Sequence, residues 1–206
     1  MREDYVVTYG GAAVGSPPLY ELVVAAASAG GLTALGVMLA ELPADFPLPL
    51  AIVQHLDPNH PSLIADILRR RTALRVKQAQ QDDLLEAGVV YVAPPAVHML
   101  VGPFHRIVLS ASAPLHHLRP SADRLFVSAA EQCGPVIGVI LTGTGTDGAA
   151  GASAIRAHGG LIMAQDQGSS AFFGMPQAAI DGGAVDLVLP LTRIAPTIVD
   201  LVKSRN

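Results

Sequence analysis

The chain has 206 residues, the length of one domain with a short appended arm. Half of it is hydrophobic and 15% is charged, with 32 alanines against nine aromatics, which excludes a wholly disordered chain. A single cysteine, Cys133, excludes a disulfide-built domain, and a net charge of −4 supplies no basic face for nucleic acid.

Residues 1–18 hold glycines, two prolines and no sustained periodicity, and read as a flexible arm before a single domain over 19–206. Strand-like and helix-like stretches then alternate. The strands are expected at Tyr20–Ala25, Leu50–Gln54, Val89–Ala93, Val136–Leu141, Gly160–Ala164 and Val185–Leu189. The helices are expected at Leu32–Glu41, Pro61–Arg70, Ser121–Glu131, Gly148–His158, Pro176–Asp181 and Ile194–Lys203. Asn59 or His60 is a candidate cap for the second helix, with Pro61 at its first position, and Ser121 is a candidate cap for the third. Residues 98–118 have short apolar runs broken by Gly102-Pro103, the pattern of an inserted hairpin.

The stretch from Leu22 to Ala40 runs 19 residues without a charge, long enough to cross a bilayer. Its interior argues against that. A strand-like Leu-Val-Val is followed by Ser28-Ala29-Gly30-Gly31 and then by apolar residues at helical spacing, so strand, glycine turn and helix are expected in place of membrane insertion. No basic or apolar stretch opens the chain, so no signal peptide is expected. Strands such as Val-Ile-Gly-Val-Ile-Leu at 136–141 are apolar at every position, as strands buried on both faces are. The fold expected is α/β: a doubly wound, mainly parallel sheet with helices on both faces and a small antiparallel hairpin.

Ligands of such sheets bind beyond the carboxyl ends of the strands. The polar residues that follow strands are Ser28, His55, His98, Asp147 and Asp166. A Ser, a His and an Asp on one sheet edge are the parts of a nucleophilic hydrolase site. Ser28 lies in Ala26-Ala27-Ser28-Ala29-Gly30, close to the G-x-S-x-G elbow, with Ala26 in place of the first Gly. Its bland alternative is a cap for the helix at 32–41. His55, in Gln54-His55-Leu56-Asp57-Pro58, is a candidate general base or a loop histidine without a task. Metal binding has the least support, since the seven histidines are scattered and no second cysteine exists.

The segment Gly143-Thr144-Gly145-Thr146-Asp147-Gly148 is G-x-G-x-x-G between a strand and a helix, with Asp166 near the place of a ribose-binding acid. A dinucleotide site is therefore a rival reading. Against it, Asp147 puts a carboxylate where a pyrophosphate has to lie. Asp147 also has a bland reading, as a cap for the helix from Gly148, and a catalytic one, as the acid that orients His55.

The ordered set of motifs resembles the catalytic domain of the CheB-type protein-glutamate methylesterases of bacterial chemotaxis. The matching stretches are Ala27–Gly31, Val53-Gln54-His55, Tyr91–Pro95 followed by His98, Arg119–Asp123 with Leu125-Phe126, Leu141–Gly143 with Gly145 and Asp147-Gly148, and Ala164–Asp166 with Phe173–Pro176. They extend over about residues 20–203. The resemblance implies a triad of Ser28, His55 and Asp147 in a cytoplasmic enzyme. It would hydrolyse γ-glutamyl methyl esters on the cytoplasmic helices of chemoreceptors, or deamidate their glutamines, without metal or organic cofactor. Ala29 is a candidate oxyanion donor through its backbone N–H, and Thr144 stands where the family often has Met beside the site. Ala26 replaces a usual Gly. Eighteen residues before the domain cannot hold the amino-terminal receiver of the two-domain enzymes, so control by phosphorylation within this chain is not expected. The alternatives are a serine esterase or amidase of another substrate and a non-enzymatic docking module for a chemoreceptor.

Overall fold

The computed structural model describes residues 20–55, 62–115 and 117–203. The arm at 1–18 and the cap candidates Asn59, His60 and Pro61 lie outside the described residues. In chain order the elements are β1 (Leu22–Ala27), α1 (Gly31–Ala40), β2 (Leu50–Gln54), α2 (Ile64–Arg69), β3 (Arg75–Gln78), β4 (Val89–Val92), β5 (His98–Gly102), β6 (Arg106–Ser110), α3 (Ala122–Gln132), β7 (Val136–Ile140), α4 (Ala149–Ala157), β8 (Leu161–Gln165), α5 (Gly174–Asp181), β9 (Leu187–Leu189) and α6 (Leu191–Lys203).

Seven strands form one parallel sheet in the order β3-β4-β2-β1-β7-β8-β9, and β5 and β6 pair antiparallel beside it. The doubly wound α/β expectation and its hairpin are both met. Among the described residues the sheet is built from β1 outward through β2, and the chain then returns to add β7 on the other flank of β1. The switch point thus falls between β1 and β7, where open α/β sheets form their binding crevice.

Every residue of β1 is fully buried. Val23, Ala25 and Ala27 face one apolar layer with α1, α2 and α6, while Leu22, Val24 and Ala26 face a second layer with residues of α3, α4, α5 and the hairpin. Alternation along one strand thus feeds two cores, which explains an apolar run without polar gaps. The uncharged run at 22–40 resolves into β1, a turn and α1. Among the described residues no helix is long and apolar enough to cross a membrane.

Two departures have simple causes. Strand β3 was not expected from the sequence, because Arg-Val-Lys-Gln at a sheet edge buries Val76 and leaves Arg75 and Gln78 exposed. Helix α6 begins three residues before the expected Ile194, and Pro196 lies inside it rather than near its start. Ser121 caps α3 as expected, its Oγ accepting from the Arg124 N–H at 3.5 Å.

Candidate active site

Ser28, His55 and Asp147 follow β1, β2 and β7, three adjacent strands of the sheet. The parallel register lines up their ends. The His55 N–H donates to the Ala27 carbonyl at 3.0 Å, and the Ser28 N–H donates to the Thr142 carbonyl at 3.0 Å. Three loops therefore leave the sheet at one level, on the switch-point side.

The strongest polar contact between them joins His55 Nε2 and Asp147 Oδ2 at 2.8 Å, with both side chains at least nine-tenths buried. Asp147 accepts three further hydrogen bonds: from Ser121 Oγ at 2.9 Å, from the Ala122 N–H at 2.6 Å and from the Asp123 N–H at 3.0 Å. Burial pushes this carboxyl up, but the hydrogen bonds from His55, Asp123 and Ala122 outweigh burial and hold it down at about 2. It is a carboxylate at neutral pH and can only accept. His55 Nε2 must therefore carry a proton, which leaves Nδ1 as the ring nitrogen free to take one.

Asp147 is not the cap of α4. Gly148 occupies that position with φ at 101° and no side-chain cap bond. Asp147 instead meets the N-terminus of α3. The N-terminus of α4 is met by Asp123, whose Oδ1 accepts from the Gly148 N–H at 2.9 Å and the Gly151 N–H at 2.7 Å. Burial raises the Asp123 carboxyl, and the nearby Asp147 charge adds to that rise against the opposing N–H bonds.

Ser28 is not a helix cap either. The N-cap of α1 is Gly30, in the left-handed region at φ 77°, and no side chain bonds to it. Ser28 is half-buried at the mouth between β1 and β7. Among the described residues no hydrogen bond joins its hydroxyl to the His55 ring. The Ala29 N–H has no acceptor among the described residues and lies one residue before Gly30, the N-cap of α1, at a helix end that suits an anion. Thr144 stands exposed on the loop that leads to Asp147.

Of the other strand-end residues, His98 opens β5 and is fully buried, so it is not a loop residue at the sheet edge. Its Nε2 bonds the Ala113 carbonyl at 3.1 Å, its Nδ1 has no partner, and burial lowers its pKa. Asp166 is turned to Ser169, accepting from its N–H at 2.9 Å and its Oγ at 2.6 Å.

Reading strand ends singled out the three candidate residues but not the groups around them. Gln54 donates from Nε2 to the Ser28 carbonyl at 2.8 Å and to the His55 carbonyl at 3.0 Å, tying the two candidate residues through their main chains. Its signal in the sequence is a lone amide closing the apolar run Leu-Ala-Ile-Val. Thr142 Oγ1 accepts from the Phe172 N–H at 2.9 Å and lies 3.0 Å from the Ala29 carbonyl, to which it can donate. Cys133 lies apart from this site, and burial followed by the nearby Glu21 charge pushes its thiol up to about 11.

The class these features define is a doubly wound α/β domain that collects a serine, a hydrogen-bonded His–Asp pair and a helix N-terminus at its switch point. A family model described as CheB methylesterase matches residues 23–198, and the chain belongs to that family. It is 46% identical over 187 residues to the protein-glutamate methylesterase FrzG of Myxococcus xanthus, covering 90% of this chain and 56% of that protein. It is 41% identical over 202 residues to a protein-glutamate methylesterase/protein-glutamine glutaminase of Moorella thermoacetica, covering 96% of this chain and 48% of that protein. The chain spans about half the length of these curated relatives. The crystal structure of the CheB methylesterase catalytic domain of Thermotoga maritima superposes with a TM-score of 0.85 at 34% identity, covering 89% of this chain and 99% of that one.

Proposed function

We propose that this chain is a serine hydrolase acting on γ-glutamyl methyl esters of chemoreceptor helices, with Ser28, His55 and Asp147 as its catalytic residues. The observation that carries the reading is the buried His55–Asp147 hydrogen bond of 2.8 Å, one strand to either side of Ser28. The names of the relatives supply the substrate class and the second activity, glutamine deamidation.

In the first step Ser28 Oγ attacks the ester carbonyl while His55 Nδ1 takes its proton. The C–O bond to methoxide breaks, and His55 returns the proton to release methanol. In the second step a water adds to the glutamyl–Ser28 ester, His55 again accepting and returning a proton, and the receptor glutamate leaves. Asp147 stays ionised throughout and stabilises the imidazolium. The Ser28–His55 contact is of the kind that tightens when substrate is bound, as catalytic hydrogen bonds often do. The Ala29 N–H is the donor placed to meet the developing oxyanion, as the first free N–H after the nucleophile. Thr144, exposed on the loop before Asp147, is the candidate pocket residue on the β7 side.

Methanol release from a methylated receptor fragment tests the reading. Wild type should turn over, and Ser28→Ala should lose on the order of 10³-fold or more. Equal release from both proteins overturns it. Labelling of Ser28 by a serine-reactive phosphonate, with no turnover of any receptor ester, would move the substrate to another ester or amide.

A further inference from the structure

We propose that Glu21, His105 and Cys133 form a three-ligand site for a zinc-type divalent cation, at the end of β1 opposite Ser28. Glu21 immediately precedes β1, His105 lies in the turn between β5 and β6, and Cys133 follows α3. Their sequence separation hid the group from motif reading, yet one ligand atom from each lies within 4.8 Å of the other two. No other such group of three is present among the described residues. Ser28 is roughly 20 Å away, the length of strand β1 at about 3.3 Å per residue.

The spacing favours a cation over a simple ion pair. His105 Nε2 and Glu21 Oε2 are 3.4 Å apart, beyond the usual reach of a charge-assisted hydrogen bond. Two metal bonds of about 2.0–2.1 Å at a tetrahedral angle span about 3.4 Å, so these two atoms already sit at the edge of a zinc tetrahedron. The Cys133 sulfur has to close by only about 1 Å to complete a face, judged from a zinc–sulfur bond of about 2.3 Å.

Each ligand residue is tied by a backbone N–H. The Gly134 N–H donates to Glu21 Oε2 at 2.8 Å, the outer bond that orients a ligating carboxylate. A side chain at 134 would make the Glu21 carboxylate shift, since its Cβ would stand 2.7 Å from Glu21 Oε1. The Leu85 N–H donates to the His105 carbonyl at 2.9 Å, and the Cys133 N–H donates to the Ala129 carbonyl at 3.0 Å.

The donor set selects the metal. A thiolate and an imidazole suit zinc or cobalt, while magnesium and calcium prefer oxygen shells. Binding exchanges the Cys133 thiol proton for the cation and releases that proton to solvent. Thiolate and Glu21 carboxylate then balance the two positive charges. Glu21 and His105 are exposed, so a water fills the fourth position. The bound ion would tie the start of β1, the hairpin turn and the end of α3 together.

Cobalt titration of the metal-stripped full chain reads this directly, because a thiolate–cobalt charge-transfer band reports Cys133. Wild type should show the band at one ion per chain, with zinc displacing it and magnesium not. Cys133→Ser should abolish it. His105→Ala and Glu21→Gln should each weaken cobalt binding by at least about tenfold, the size of loss seen even for outer-shell partners. Glu21→Gln keeps an oxygen for the Gly134 N–H, so it separates metal binding from folding. A zinc concentration that raises the wild-type Tm by about 5 °C should raise that of Glu21→Gln by clearly less. No band in wild type, or a band whose affinity survives both His105→Ala and Glu21→Gln, overturns the proposal.

Discussion

Asp147 and Asp123 cap each other's helices. Asp147, on the loop before α4, accepts from the first N–H groups of α3, and Asp123, within α3, accepts from the first N–H groups of α4. The exchange places two carboxylates side by side and gives each a helix N-terminus to neutralise it. It also fixes the acid that holds His55 to both helices of one layer, so that acid has little freedom to follow the ring.

Replacing Asp147 by Asn should therefore cost more than one hydrogen bond. The carboxylate faces four donors and offers none. An amide there turns its NH₂ toward one of them. We expect a loss of about 1–3 kcal/mol from an unsatisfied buried donor. Methanol release should fall by on the order of 10³- to 10⁴-fold, the cost of an imidazole held in the wrong tautomer. A variant with the stability loss but near wild-type turnover would remove Asp147 from the mechanism.

The same pair sets the response to acid. Asp147 has its folded pKa depressed from 3.8 to about 2, so its contribution is present above pH 3.8 and is lost as pH falls toward 2. It amounts to on the order of 2 kcal/mol. Asp123 is raised, so it works in the opposite direction and relieves strain as it takes a proton. Asp123→Asn keeps an oxygen for Gly148 and Gly151 and removes the like charge. Its Tm at pH 7 should equal or exceed that of wild type, and it should lack the stability that wild type gains as pH falls toward 3.8 and Asp123 takes its proton. A Tm drop at pH 7 as large as that of Asp147→Asn would show that the two carboxylates are not opposed in this way.

How much of this was legible in the sequence follows from range. Ser28, His55 and Asp147 could be picked out because each ends an apolar strand run, and the order of a parallel sheet brings strand ends to one edge. The crossed caps could not be read. Asp147 next to Gly148 reads locally as a cap for its own helix, and only the packing of α3 on α4 reverses the partners. For the same reason Ser121 was visible as a cap but not as the Oγ that donates to Asp147. Strand β3 escaped because an edge strand with one inward apolar residue carries no period. His98 was misplaced on the open edge because a histidine inside a short hairpin leaves no mark of its burial.

Gln54 gives a test of positioning rather than chemistry. Leu at 54 keeps the volume but removes both donors, to the Ser28 and His55 carbonyls. Neither carbonyl belongs to a reacting group, so substrate affinity should be retained while the alignment of hydroxyl and ring is lost. We expect kcat for methyl-ester hydrolysis to fall by roughly ten- to a hundredfold with KM little changed, as a misplacement of about 1 Å does. Slower phosphonate labelling of Ser28 should accompany it. A raised KM with kcat intact would contradict a positioning role.

Gly143 tests how closely the loop before Asp147 has to approach Ser28. A Cβ at 143 would stand 2.3 Å from Met175 Sδ and 2.8 Å from Ser28 Cβ. Met175 is fully buried but its side chain can turn, whereas Ser28 Cβ moves only with the end of β1. Gly143→Ala should thus be destabilised by about 1–3 kcal/mol through overpacking and should also displace Ser28. Trimming the neighbour relieves only the first conflict. In Gly143→Ala with Met175→Ala the combined stability loss should be smaller than the sum of the single losses, by about 1 kcal/mol. Methanol release should stay low in the double variant because the contact with Ser28 remains. Strict additivity together with wild-type turnover in Gly143→Ala would mean that the loop has room beside Ser28, and that the glycine is not required by the site.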